Sequence, residues 1–265
     1  MLQALRAVCT AALFVASSAA AEEKSPDRWP GPFGGRWNAQ FTIASDYSYA
    51  GISNTQFKPA AQVGLDYSSP LLLPQGPPLW LYVTGFGSNV QFAGLPPGVE
   101  IDIASGVKVN SNDRKLAIDV GYQRYLYPAY PATFGAEYGE VQGRLDYDFG
   151  PIFLSGRLRW SPDNFAHSGQ SWNKRLLVSA PLSFLPVPES VKLKAYVSLG
   201  NFWVEKPANY GIAGNDYWYW QFGLVTSAWG LDFTLAYTDT NLDYTGCGNT
   251  PYCSGRVFLS LTKAF

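Results

Sequence analysis

The sequence predicts an all-β fold: a transmembrane antiparallel up-and-down β-barrel of about 12 strands. Three observations predict it. The closing stretch Arg256–Phe265 puts Val257, Leu259, Leu261 and Phe265 on one parity and Ser260 and Thr262 on the other. That period of two belongs to a strand with one apolar and one polar face. The same alternation recurs through the chain in segments long enough to cross a bilayer at a tilt. Finally, 16% of residues are aromatic and 15% charged, with mean hydropathy −0.07. Alternating lipid-facing and water-facing positions give such an average, and no apolar run after the N-terminal segment is long enough for a transmembrane helix. A soluble β-sandwich is the competing fold, but the strands are long for one.

Residues 1–21 read as a secretory signal peptide. Arg6 carries the one positive charge, 7–16 carry none, and Ala19, Ala20 and Ala21 supply a small-residue cleavage site. Without Arg6, 18 basic side chains face 20 acidic ones, a net charge of −2, which gives no electrostatic footprint for nucleic acid. Residues 22–35, rich in Pro, Gly and charge, read as a flexible periplasmic lead-in. Residues 36–265 form the barrel domain.

In order, Trp37, Ala39, Phe41 and Ile43 line one face of the first strand, and Ala61, Val63, Leu65 and Tyr67 the next. Residues 79–90 form a third strand of less regular parity. Val99–Val109, Leu116–Gln123, Tyr138–Tyr147, Ile152–Trp160, Ser171–Leu182, Val191–Leu199, Trp218–Leu224, Leu231–Thr238 and the closing stretch follow. Short turns at Asn110–Arg114, Asp148–Pro151 and Ala228–Gly230 fall on one side, and most of the long loops fall on the other, as in outer-membrane barrels. Aromatic residues near strand ends, Trp37, Trp80, Tyr122, Trp160, Trp172, Trp218 and Trp229, are the expected interfacial girdles.

Cys247 and Cys253 enclose a turn-forming sequence. In an exported chain a local disulfide is the default, contributing roughly 2 kcal/mol against loop disorder. No His or further Cys lies beside them, so neither a metal site nor a cofactor is expected. The one histidine, His167, precedes Ser168 in a predicted surface loop. A Ser-His acyl-transfer site needs a third group to orient the base, which adjacent loop residues do not supply.

The inward faces carry Asp66, Glu100, Asp102, Lys108, Asp119, Glu140, Arg144, Asp146, Arg157, Arg159, Lys192, Lys194 and Asp232. Inside a water-filled barrel such charges set ion preference. Paired with one another, they would instead fill the interior. A barrel of about 12 strands lies between small filled barrels and wide porins.

Ser45-Asp46-Tyr47, Gly51-Ile52-Ser53, Lys58-Pro59-Ala60, Gly64-Leu65-Asp66-Tyr67, Gly87-Ser88-Asn89-Val90, Glu100-Ile101-Asp102, Gly121-Tyr122, Tyr127-Pro128, Ala236-Tyr237-Thr238-Asp239 and the final Phe265 occur in one order. This arrangement resembles the TorF family of proteobacterial outer-membrane proteins, which carries a porin label and no settled substrate. The closing strand itself is similar to the terminal signature of outer-membrane proteins, which end in Phe, although Lys263 stands where an aromatic residue is usual. The family usually has Arg before Gly-Ile-Ser, where this chain has Ala50. The resemblance implies a class, an outer-membrane porin, rather than a named activity; with the barrel and its inward charges the expectation is a porin-like channel in the cell outer membrane for passive diffusion of small polar solutes or ions, without enzyme activity. Its partners would be membrane lipid and, through the barrel-closing C-terminus at Phe265, the assembly machinery. The alternatives are a non-conducting barrel that works through its loops and an outer-membrane hydrolase that uses His167.

Overall fold

A computed structural model describes residues 29–73 and 76–265. The predicted signal peptide and most of the lead-in lie outside the described residues. Twelve antiparallel strands form the wall: β1 (Arg36–Ala44), β2 (Ala60–Ser68), β3 (Leu79–Val90), β4 (Gly98–Asn110), β5 (Leu116–Leu126), β6 (Tyr138–Asp148), β7 (Phe153–Ser161), β8 (Ser171–Pro181), β9 (Val191–Val204), β10 (Asp216–Ala228), β11 (Leu231–Thr240) and β12 (Arg256–Ala264). Each strand pairs with its sequence neighbours, and β12 also pairs with β1 through Leu261↔Ile43 and Lys263↔Phe41. Closure leaves no sheet edge, the condition for carrying a backbone through lipid. The Phe265 N–H donates to the Ala39 carbonyl, 2.9 Å, just past the end of β12.

Side-chain alternation sorts the two faces. Val63, Ile103, Val120, Leu145, Leu176, Val197, Leu235 and Leu259 all point outward and are exposed. An apolar belt of that extent on a soluble surface would aggregate; on a closed barrel it is the lipid face. Trp160, Trp172, Trp203 and Trp218 stand outward near the long-loop end, with Trp160↔Trp172↔Trp203 in direct register. Trp37 and the exposed Trp229 mark the opposite end, with Trp37 packed on Tyr67 at 5.0 Å between ring centroids.

Trp80 does not join a girdle. In β3 the inward parity runs through Tyr82, Thr84, Phe86 and Ser88, and Trp80 shares it. Its ring lies inside, with Lys108 Nζ 5.8 Å from the centroid. The lead-in is not wholly unpaired either: Trp29 and Pro30 pair with Trp37 and Arg36 of β1. Strands β5, β9 and β11 run two or more residues further toward the long loops than the alternation alone indicates.

The larger difference is the connection between β1 and β2, residues 45–59. Ser48–Tyr49 and Ile52–Ser53 pair as a small hairpin. Its tip, Ala50-Gly51, has φ of 47° and 83°, the two positive values that a tight two-residue hairpin turn requires. Instead of standing above the barrel, this hairpin folds into it.

Candidate functional site

The contacts of the hairpin place it inside the lumen, because they reach strands all round the wall. Tyr47 Oη donates to Glu100 of β4. Tyr49 Oη donates to Glu140 of β6 at 3.0 Å and accepts from Asn173 of β8 at 3.3 Å. Gly51 lies against Tyr219 of β10 and Thr240 of β11; a Cβ there would sit 2.5 Å from Thr240 Cγ2, so the approach needs glycine. The base of the hairpin is pinned by Asp46, whose carboxylate accepts from Ser53, from Thr55 at 2.7 Å, and from Arg256 at the start of β12.

Against the hairpin lies a buried polar network. Arg159 pairs with Glu140 at 3.3 Å, and both side chains are 1% exposed. Arg159 also donates to Tyr125 Oη at 2.6 Å and to Gln123 Oε1 at 3.3 Å. Tyr125 donates on to Glu140 at 2.7 Å, and Gln123 to Asp102 at 2.8 Å. Tyr127 donates to the second oxygen of Glu100 at 2.7 Å. Ions this deep persist only when paired and hydrogen-bonded. Glu100 and Glu140 thus accept the hairpin's tyrosine hydroxyls, and Asp102 and Arg159 belong to the network behind them.

On the long-loop side of the hairpin a cavity of about 620 Å³ opens, walled by Phe92, Tyr127, Phe134, Tyr138, Phe165, Tyr210 and neighbouring loop residues. Phe92 and Phe165 each pack edge to face on Tyr127 of the main buried cluster, and tilted against each other, all within 6 Å centroid to centroid. The Cys247–Cys253 disulfide lies in its wall.

The remaining sequence-predicted charges also take the inward parity. Asp66 is buried low in β2, Lys194 is buried in β9, and Asp232 accepts from Ser227. Lys192 reaches only the turn-side rim and is exposed. Lys108, Asp119, Arg144, Arg157 and Arg175 are directly opposite one another on five consecutive strands, β4 to β8. The sequence reading included four of these and missed Arg175, because β8 alternates weakly: Leu176 faces out but Leu177 is buried within. The register through Arg157 finds it.

His167 is exposed, and its Nδ1 lies 3.0 Å from Asp163 Oδ2, so a third group does orient the ring. The hydroxyl fails the arrangement instead: Ser168 is 0% exposed and its Oγ makes no hydrogen bond among the described residues. No nucleophile is presented there. Among the described residues no cluster of His, Cys, Asp and Glu could hold a metal ion.

Comparison with solved structures returns membrane barrels. A structure from work on in-meso crystallization of membrane proteins superposes with TM-score 0.51 at 7% identity, covering 86% of this chain and 83% of its own. The NanC porin matches with TM-score 0.46 at 10% identity, covering 86% and 98%. LpxR from Salmonella typhimurium matches with 0.45 at 11% identity, covering 86% and 99%. At such identities the likeness concerns the fold alone. No curated protein matches the sequence. A family profile matches residues 32–265, nearly the whole barrel and its approach, and by that match the chain belongs to Gcw_chp, a family of bacterial proteins of unknown function.

Proposed function

We propose that the protein is an outer-membrane channel for passive diffusion of small polar solutes or ions, with the first-loop hairpin as its constriction. One observation carries the reading: a closed wall whose outer face is apolar and whose inner face is charged. A barrel needed only as a structural post gains nothing from ionised groups taken out of water, because their desolvation cost must be met by pairing. A route for hydrated solutes does need them. The first-loop likeness to the TorF family, with its porin label, supports the same reading. The apolar belt would sit in outer-membrane lipid, and the strand ending in Phe265 is the segment the assembly machinery would engage.

Purified protein in planar bilayers is expected to give stepwise conductance. Silent bilayers, with the barrel shown folded by circular dichroism, would overturn the proposal and favour a closed barrel that works through its outer loops. The observation behind that second reading is the hairpin itself, whose Tyr47 is 1% exposed. A hydrolase is disfavoured by the buried Ser168. Esterase activity present in the native protein and lost in His167→Ala would bring it back.

A further inference from the structure

The geometry points to an anion-binding station inside the barrel, built on Arg157 and Arg175. These two arginines are direct cross-strand partners on β7 and β8, and Arg144 of β6 is the direct partner of Arg157 on its other side. Neighbouring strands lie about 4.8 Å apart, and like charges directly opposite destabilise a sheet. Arg144 is compensated by Asp146 at 3.2 Å, with Asp119 opposite it in register. Arg157 and Arg175 form no ion pair among the described residues, and Arg175 Nε is buried without a hydrogen-bond partner.

The two side chains line a small cavity of about 20 Å³ closed on one side by the hairpin tip at Ala50-Gly51. Its other walls include Asn173, Ser198, Tyr219 and Gln221. Ser198 and Gln221 can donate into it, Tyr219 already donates to Asn173 Oδ1 at 2.6 Å and Asn173 to Tyr49 Oη at 3.3 Å, and no carboxylate lines the cavity. Gly200, the direct partner of Arg175 on β9, admits the Tyr219 ring, which packs directly over its Cα. Two uncompensated guanidinium groups suit an anion, and a cavity with room for about one water admits a monatomic one such as chloride.

That the bound anion is also a transported one rests on the channel proposal; the station itself does not. The test is calorimetric titration of chloride into the full detergent-folded chain in chloride-free buffer, beside Arg157→Gln, Arg175→Gln and the double variant. Heat-resistant migration on gels establishes that each is folded. Saturable binding in the native chain is expected, weakened roughly tenfold for each arginine removed, with Arg175→Lys retaining most of it. No saturable binding in the native chain, or binding unchanged in the folded double variant, overturns the station. Reversal potentials in a potassium chloride gradient then read the cargo. Chloride preference that declines in the double variant supports an anionic one, and cation preference in the native channel refutes it. Silent bilayers with chloride binding intact would remove the channel proposal and leave the station standing.

Discussion

Replacing Asp46 with Ala should release the hairpin without harming the wall. Asp46 is buried just beyond the end of β1, outside every barrel strand. Its carboxylate accepts from Ser53, Thr55 and Arg256. Two hydrogen bonds to hydroxyls contribute about 1 kcal/mol each, and a charged one about 1.5–3 kcal/mol. Arg256 keeps part of its environment in the variant, because it also donates to the Gly51 and Ser254 carbonyls at 3.0 and 3.1 Å and stacks on Phe57. A net loss of about 3 kcal/mol follows, equivalent to roughly a hundredfold fall in the ratio of seated to unseated hairpin. Two assays read it. Single-channel conductance should rise or open time lengthen, and limited proteolysis should cut within residues 45–59 far faster than in the native protein. Heat-resistant gel migration should be unchanged, because no strand pairing depends on Asp46. Conductance and cleavage both identical to the native protein, in a folded barrel, would refute the claim that this carboxylate seats the constriction.

Other perturbations separate local from global roles. Arg159→Leu leaves Glu140 buried without its cation and should lower barrel stability by about 3–5 kcal/mol, seen as a lower midpoint of urea unfolding in detergent; adding Glu140→Gln should recover much of the loss. Cys247→Ser with Cys253→Ser should cost the loop after β11 roughly 2 kcal/mol of order, measured as faster cleavage within 241–255 with the midpoint unmoved. Asp243 accepts from the Gly246 N–H and from Thr245, which hold its carboxyl below the usual Asp range. Its stabilising bonds are therefore complete above the ordinary Asp value and are lost as pH falls through the lowered one, so cleavage within 241–255 should rise on acidification and Asp243→Asn should flatten that rise. Ala50→Arg would add a guanidinium to the cavity that already holds Arg157 and Arg175, and faster cleavage of residues 45–59 is the expected sign of an unseated hairpin.

How much of this was legible in the residues follows from which forces are local. Strand number, order and facing depend on a two-residue alternation that each segment carries by itself, so the wall could be read from Trp37 to Phe265 without knowing any neighbour. Trp80 lies near a strand end, as the girdle residues do, but its parity with Tyr82, Thr84 and Phe86 turns it inward. The inward hairpin was missed for a different reason. Its polar residues suit a surface loop equally well, and what draws it inside is a set of partners far away in sequence: Glu100, Glu140, Asn173 and Arg256. One local signal was available. Ala50-Gly51 between Ser48-Tyr49 and Ile52-Ser53 has the form of a two-residue hairpin turn, and buried tyrosines need hydroxyl partners that a loop in open solvent does not require. Register is the other thing a single strand cannot state. Arg144 and Arg157 could be named from their own strands, but that they form one row with Arg175 depends on how β6, β7 and β8 slide past one another, and a one-residue slip of any of them would turn that row's inward face outward. The charges inside the barrel therefore take their meaning from pairing, and the uncompensated pair at Arg157 and Arg175 is where that pairing leaves chemistry still to be satisfied.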